Sequence, residues 1–176
     1  MVREQLEVGV CIVKCWNKIA VLLLTVAVVQ GSAQSVKTQT SDFWTDPSSG
    51  LMWTGKDSGR DVSWKGAVRY CRDLRLAGYS DWRLASLEEL KGIYDKSVSA
   101  PGLAGPSKKA RDFTWHVKGN LFLTGDVWSS ERRNDDRGKP SGYAWYFDFN
   151  EGGSKNDPSG WPYAGRRVLC VRGPQK

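Results

Sequence analysis

Residues 63–95 have the sequence SWKGAVRYCRDLRLAGYSDWRLASLEELKGIYD, and this stretch decides the fold because it predicts two helices. From residue 63 to residue 76 the apolar side chains recur at helical spacing behind Ser63, a favourable N-cap residue. We expect Gly78 to end this first helix. Ser86 and Glu89 have the spacing of a capping box, so the second helix is predicted from residue 86 to about residue 95.

The sequence beyond the second helix is typical of short strands joined by polar loops. Apolar and aromatic clusters predict strands at residues 127–129, 144–149 and 168–172. Turn-forming residues predict long loops at residues 96–109, 131–142 and 150–160. With one short strand before the first helix, this layout predicts the α+β class, in which two helices pack on a short-stranded antiparallel sheet.

The first 33 residues differ from the rest of the chain and have the layout of a secretory signal. Scattered charges precede an uninterrupted apolar run at residues 19–29, and Gly31-Ser32-Ala33 follows. This order predicts cleavage after Ala33, with a retained membrane anchor as the alternative. We therefore expect an exported protein, in the periplasm, at the cell surface or secreted. Its parts would be a linker at 34–42, a domain at 43–173 and a tail at 174–176.

Removal of the signal leaves two cysteines, Cys71 and Cys170. In an exported domain such a pair predicts a disulfide, which would join the first helix to the last strand. A zinc site is not predicted, because two cysteines and the distant His116 make an incomplete ligand set. The acidic runs at 134–136 and 156–157 have oxygen ligands suited to calcium but are also ordinary turn sequences. We expect no metal and no cofactor.

The chain is basic, with a formal net charge of +7. An exported basic protein meets anionic polymers rather than intracellular nucleic acid, although moderate positive charge can also serve solubility alone. Arginine binds sulfate, phosphate or carboxylate with a planar fork, and exposed aromatic rings can stack on sugar faces. The candidate ligand-binding residues are Arg132, Arg133, Arg137 and Lys139 in one loop, then Lys108, Lys109 and Arg111, then Arg166 and Arg167, with Trp161 and Tyr163 as stacking residues.

Several segments, in this order along the chain, carry a family resemblance. They are Gly50-Leu51-Met52-Trp53, Trp64 with Ala67 and Tyr70-Cys71, Leu76-Ala77-Gly78-Tyr79-Ser80-Asp81-Trp82-Arg83-Leu84, Glu88-Glu89-Leu90, Val127-Trp128-Ser129-Ser130, Ala144-Trp145-Tyr146-Phe147-Asp148-Phe149 and Cys170-Val171-Arg172-Gly173. In these segments the chain resembles the DUF1566 family, also known as the C-terminal domain of Legionella collagen-like protein. The resemblance implies a C-type lectin-like domain of exported or surface proteins, with core positions for Trp64, Trp82, Trp128 and Trp145. It also implies adhesion through sulfated glycans, the role of the best-known relative, and supplies no catalytic residue.

Three functions follow as hypotheses. The leading one is a non-enzymatic, exported binding or adhesion module that recognises an anionic or sulfated glycan or an envelope polymer. The alternative is a protein-binding or structural component of the bacterial cell envelope. The third is an enzyme acting on envelope polysaccharide. That hypothesis has little support, because His116 has no nucleophile motif beside it and no carboxylate pair can be assigned from one sequence.

Overall fold

The structure is a computed structural model, and it describes residues 41–104, 111–162 and 165–173. Within these ranges the chain is of the α+β class, with two α-helices, one 3-10 turn and ten strands. The helical elements are α1 (Trp64–Asp73), α2 (Leu87–Ile93) and the 3-10 turn Lys118–Asn120. The strands are β1 (Phe43–Thr45), β2 (Met52–Thr54), β3 (Arg83–Leu84), β4 (Ala100–Ala104), β5 (Arg111–Trp115), β6 (Asp126–Asn134), β7 (Pro140–Asp148), β8 (Gly153–Pro158), β9 (Arg166–Arg167) and β10 (Cys170–Arg172).

Helix α1 begins as the sequence predicts. The Ser63 hydroxyl accepts the backbone N–H of Gly66 at 3.2 Å, which satisfies one of the unpaired donors at the start of the helix. Ala67 and Cys71, one turn apart, are fully buried. The helix therefore lies with this apolar stripe against the core, while its basic side chains face outward.

The end of α1 differs from the prediction. The helix stops at Asp73 rather than near residue 76, because Leu74 already has an extended backbone. Leu76 then pairs with Tyr79, and each donates its backbone N–H to the carbonyl of the other. Gly78 lies in the tight turn between them with a φ of 80°, a backbone conformation that glycine adopts without strain. Gly78 thus forms a turn and does not end the helix.

Helix α2 begins with the predicted capping box. The Ser86 hydroxyl accepts the Glu89 N–H at 3.1 Å, and the Glu89 carboxylate accepts the Ser86 N–H at 2.8 Å. The helix ends at Ile93, before the predicted residue 95, because Tyr94 is extended. Leu90 and Ile93 are buried, and burying each such side chain contributes roughly 1.5–3 kcal/mol.

The described strands form three sheets. The first has the order β1, β2, β10, β3 and is antiparallel, so it pairs the beginning of the domain with its end. The second contains only β4 and β5. The third has the order β8, β7, β6, β9, and β9 runs parallel to β6. The prediction of an antiparallel sheet is therefore wrong at this one edge.

The three predicted loops contain strands. β4 lies within the predicted loop 96–109, β6 and β7 extend into the predicted loop 131–142, and β8 lies within the predicted loop 150–160. β8 is polar in sequence and occupies a sheet edge, where its backbone pairs with β7. Backbone pairing with a neighbouring strand outweighs the weak intrinsic strand preference of polar residues, so composition alone does not reveal such a strand.

Two buried clusters hold these elements together. The first includes the apolar face of α2 and the aromatic residues Trp53 and Phe147. The second includes the apolar face of α1 with Trp82 and Trp128, both buried as predicted. Trp64 and Trp145 are only half-buried, so the prediction that all four family tryptophans lie in the core holds for two of them.

The predicted disulfide between Cys71 and Cys170 is present, and it joins α1 to β10 with a Cα–Cα distance of 5.4 Å. Both cysteines are fully buried in the second cluster. The predicted signal at 1–33, most of the predicted linker, the predicted tail at 174–176 and the residues Lys108, Lys109 and Tyr163 lie outside the described residues. Among the described helices, none has the length and apolar character needed to cross a bilayer.

Candidate functional site

The predicted basic loop at 131–142 is a β-hairpin formed by β6 and β7. The two strands pair as far as Asn134 and Pro140, so only residues 135–139 form the connection. Asp135 fixes this turn, because its carboxylate accepts the backbone N–H groups of Arg137 at 2.9 Å and Lys139 at 2.8 Å. We call Arg132, Arg133, Arg137 and Lys139, with the backbone that carries them, the basic hairpin.

Arg132 anchors the base of the basic hairpin to α1. Its guanidinium carbon lies 5.5 Å from the centre of the Trp64 ring, a cation–π geometry. The Trp64 indole in turn donates to the Ser129 carbonyl at 2.8 Å. These contacts fix where the hairpin leaves the domain. Arg132 therefore has a packing role in addition to its charge.

The outer part of the basic hairpin carries unneutralised charge. Arg133, Arg137 and Lys139 are exposed, and none of them forms an ion pair with another described residue. The four cations of the hairpin are opposed locally by the carboxylates of Asp135 and Asp136, so a positive surplus remains. The structure thus brings the predicted cluster 132–139 together on an ordered arm.

Arg166, also predicted to bind a ligand, is a structural residue. Its guanidinium lies 2.7 Å from the Asp126 carboxylate and 2.7 Å from the Asp157 carboxylate, and it stacks on the Tyr146 ring at 3.6 Å. Its side chain is only 13% exposed. Burial, and secondly the nearby Asp148, raise the pKa of Asp126 to about 6 despite the ion pair with Arg166. The donors of Arg166 are therefore occupied inside the domain.

Arg167 is also engaged inside the domain. It is buried, forms an ion pair with Asp61 and donates to the Thr124 hydroxyl at 2.7 Å. We leave Arg166 and Arg167 out of the candidate surface for this reason. Arg111 belongs to β5, where its backbone pairs with Ala104, and its side chain is not among those described.

An exposed aromatic segment adjoins β7. Trp161 is 73% exposed and Tyr143 is 39% exposed. Ser159 ties the segment that precedes Trp161 to this strand, since its N–H and its hydroxyl both donate to the Gly142 carbonyl, at 2.8 and 2.7 Å. Exposed rings therefore lie on and beside β7, the strand that follows the basic hairpin in the chain.

A second basic surface exists on α1. Lys65, Arg69 and Arg72 are exposed at helical spacing. Arg72 pairs with the neighbouring Asp73 at 2.9 Å, a fully solvated contact. This helix surface is an alternative place for an anionic ligand to bind. Its positive charge is reduced at the C-terminal end of the helix, because Asp73 pairs with Arg72 there.

A cavity of about 610 Å³ opens among the β1–β2 connection, α2 and β6. Its volume falls in the range of small-molecule sites, about 300–1,000 Å³. The lining combines apolar surface with hydroxyls and carboxylates, among them Asp46, Trp53, Glu89, Ser130 and Glu131. The sequence analysis did not identify this cavity, because its residues come from three separated segments and belong to no shared motif.

Two of the cavity carboxylates are held in the ionised form. Burial acts to raise the pKa of Asp46, but hydrogen bonds from Ser49 and Ser48 bring it below its usual value. Burial likewise acts to raise the pKa of Glu89. The Arg83 guanidinium outweighs this effect, because two of its nitrogens donate to the Glu89 carboxylate at 2.7 Å each, and the pKa of Glu89 lies below its usual value. Both carboxylates are therefore ionised, but Arg83 pairs with Glu89 and the charge of Lys118 acts on Asp46, so nearby cations offset their charge.

The family model described as the Lcl C-terminal domain matches residues 42–172 of this chain. The chain belongs to the Lcl C-terminal domain family. This confirms the predicted family, and both the basic hairpin and the cavity lie within the matched residues. A search of curated proteins finds no match to the chain.

The residues that an enzyme or metal hypothesis would use have structural contacts in this Lcl C-terminal domain. His116 packs edge-on against Tyr94, with ring centres 6.3 Å apart, and its Nδ1 lies 2.8 Å from the Val98 carbonyl. Asp135 fixes the hairpin turn, and Asp157 pairs with Arg166. In the described part of the chain, no three His, Cys, Asp or Glu side chains are grouped so as to hold a metal ion.

Proposed function

We propose that this Lcl C-terminal domain is an exported, non-enzymatic binding module whose basic hairpin recognises an anionic glycan, with sulfated glycans as the leading class. One observation carries the proposal. Arg133, Arg137 and Lys139 are exposed on an ordered turn and form no ion pair with other described residues. Because these cations are not directly paired with a carboxylate, their N–H donors are available to the anionic groups of a ligand.

The chemistry of these side chains suits sulfate. A guanidinium offers parallel N–H donors that engage two oxygens of one sulfate or carboxylate group. Lys139 adds a point charge beside the two forks. Because the turn is fixed by Asp135, little ordering of the backbone is needed on binding, which favours affinity.

The exposed aromatic residues support a glycan rather than a small anion. Tyr143 lies on β7 and Trp161 on the segment that adjoins this strand, and both rings are exposed to solvent. A polymer bound across the basic hairpin would place its sugar rings within reach of such surfaces. Aromatic rings with a polar tip also contribute contact area at low entropic cost.

We infer that the architecture is of the C-type lectin-like kind. The supporting features are the pairing of the first strands β1 and β2 with the last strand β10, the two short helices, and the disulfide that joins α1 to β10. Export is likewise a proposal. It is supported by the signal-like layout of residues 1–33 and by the disulfide, since disulfides persist in oxidising compartments.

The test compares two variants that lose the same charge from different surfaces. Arg133→Ala/Arg137→Ala removes two cations from the basic hairpin, and Arg60→Ala/Lys96→Ala removes two exposed cations elsewhere. Binding to immobilised heparin at physiological salt should weaken about 10-fold or more in the hairpin variant. The control variant should stay within about 3-fold, and both should keep the wild-type melting temperature.

Equal weakening in the two variants would show that binding depends on total charge and not on the hairpin. An unchanged hairpin variant would likewise remove this surface from consideration. In either case the alternative, a protein-binding component of the cell envelope, becomes the first hypothesis to examine.

A further inference from the structure

The two faces of the third sheet carry different residues. Val127 pairs with Phe147, and both belong to the first buried cluster, which contains the apolar residues of α2. Trp128 pairs with Tyr146, and both belong to the second cluster, which contains the apolar residues of α1. Because side chains alternate between the faces along a strand, every residue of β7 can be assigned to one of them. We call the face of Val127 and Phe147 the α2 face.

Exposure on the α2 face increases along β7 toward the basic hairpin. Phe147 is buried, Trp145 is half-buried and Tyr143 is 39% exposed. The pairing of β7 with β8 is regular over these residues, so the three side chains lie on the same face. Two residues span about 7 Å along a strand. The α2 face therefore ends, beyond the core, in two neighbouring aromatic side chains.

Trp145 is not part of the core. It belongs to neither buried cluster, and it is not among the half-buried residues that pack against them. Its indole N–H has no acceptor among the described residues and, unlike the N–H of Trp53, is open to solvent. Asn156 lies directly opposite on β8, and its side-chain amide also forms no hydrogen bond within the described part of the chain. Accessible donors and an acceptor thus lie beside the aromatic rings.

One cation of the basic hairpin belongs to the same face. Arg132 pairs with Ala144 and lies over the Trp64 ring, so it points toward α1. Arg133 follows Arg132 on β6 and therefore points to the α2 face. The extra residues of the nearby bulge belong to β7, so the alternation along β6 is regular here. Arg133 is thus an exposed cation at the hairpin end of the aromatic surface.

The opposite end of this surface is acidic. The Glu131 carboxylate accepts the Leu87 N–H at the start of α2, so its side chain also lies on the α2 face. A sulfate group is repelled by this carboxylate and attracted by the Arg133 guanidinium. The surface therefore distinguishes its two ends, with a place for an anionic group only at the hairpin end.

We propose that Tyr143, Trp145 and Asn156 form a sugar-binding platform, on which a sulfated glycan lies along β7 with a sulfate group at Arg133. The platform rests on the proposed function for its anionic contact and adds contacts to the sugar rings. Aromatic side chains offer apolar area to the C–H face of a ring. Sugar hydroxyls both accept the Trp145 N–H and pair with the Asn156 amide, whereas an apolar protein surface would leave these groups without partners.

The first measurement follows the tryptophan indole N–H resonances of the oxidised protein by NMR. The probes are a heparin hexasaccharide and, separately, the fully desulfated hexasaccharide. We expect both to shift the Trp145 resonance saturably, the desulfated probe with lower affinity because it lacks the contact to Arg133. Trp128, whose buried N–H donates to the Val62 carbonyl at 2.9 Å, is the internal control and should not move.

Variants separate ring contacts from charge contacts. Tyr143→Ala should weaken binding of the heparin hexasaccharide about 5-fold or more without changing its salt dependence, whereas Arg133→Ala should weaken it and also reduce the salt dependence. The matched control Tyr79→Ala alters a tyrosine that is 41% exposed in the turn after α1, and it should stay within about 2-fold. Asn156→Ala should weaken binding about 3-fold or more, and the control Asn150→Ala should not. Melting temperatures verify that each variant is folded.

Two results would overturn the platform. One is the absence of a Trp145 shift with either oligosaccharide, and the other is equal affinity of Tyr143→Ala and Tyr79→Ala for the heparin hexasaccharide. Failure of the proposed function gives a different result. Unchanged affinity of Arg133→Ala, together with weakened binding in Tyr143→Ala, would contradict the role of the basic hairpin and support the ring contacts of the platform.

Discussion

Loss of the Cys71–Cys170 disulfide should remove a large part of the stability of the domain. The bond links residues 99 positions apart, so it closes most of the described domain into one loop. For a loop of this length, the chain-entropy estimate is about 4.7 kcal/mol at 25 °C. Domains of this size are typically stable by about 5–15 kcal/mol, so the reduced protein should be marginal.

Two perturbations separate loop closure from packing. Reduction with a thiol keeps both sulfur atoms in the second buried cluster, where each cysteine is fully buried. The variant Cys71→Ala/Cys170→Ala also removes those atoms, and the resulting cavity should cost about 1–2 kcal/mol more. Urea unfolding of the oxidised, reduced and double-alanine proteins gives the three free energies of unfolding on one scale.

We expect the reduced protein to lose about 4–5 kcal/mol relative to the oxidised protein, and the double-alanine variant to lose more. The melting temperature of the reduced protein should fall by about 15 °C or more. A loss below about 1.5 kcal/mol on reduction, with an unchanged urea dependence, would refute the reasoning. It would mean that the contacts of α1 and β10 hold the two cysteines together without the bond.

Further predictions concern the backbone, the buried acid and the helix cap. Gly119→Ala should destabilise by about 2–4 kcal/mol in thermal unfolding, because a Cβ there would overlap the Trp44 ring. The control Gly59→Ala, with a similar positive φ but open space around the Cβ, should cost only about 1 kcal/mol. The raised pKa of Asp126 stabilises the fold below about pH 4, and this contribution is lost as the pH rises to about 6. The free energy of unfolding should therefore fall by about 1–3 kcal/mol more in wild type than in Asp126→Asn over that range, and equal slopes would contradict this. Ser86→Ala should lower the free energy of unfolding in urea by about 1 kcal/mol, because the Glu89 N–H loses its acceptor at the start of α2. An unchanged free energy would show that the Glu131 carboxylate, which accepts the Leu87 N–H, is enough to cap the helix.

The sequence predicts those features that depend on local pattern. Apolar spacing behind Ser63 indicates α1, and the Ser86–Glu89 pair indicates the capping box of α2, because both signals lie within a few residues. The disulfide was predictable because only two cysteines lie outside the predicted signal. These features required no knowledge of which distant segments meet.

The remaining features depend on long-range pairing. β8 has a polar sequence and is a strand only because β7 lies beside it. Arg166 and Arg133 each belong to an Arg-Arg pair in the sequence, yet Arg166 is largely enclosed and paired with Asp126 and Asp157, while Arg133 is exposed. The cavity also depends on three separated segments. Such differences arise from tertiary contacts, which a residue pattern does not contain.

The most direct test of the proposed function maps where a sulfated oligosaccharide binds. Backbone amide resonances of the oxidised protein would be followed by NMR during titration with a heparin hexasaccharide at physiological salt. We predict saturable shifts that are confined to residues 132–145 and to the segments around Asn156 and Trp161. Shifts centred on Lys65 and Arg69 of α1, or small shifts spread over all exposed cations, would contradict the assignment of the basic hairpin as the glycan-binding site.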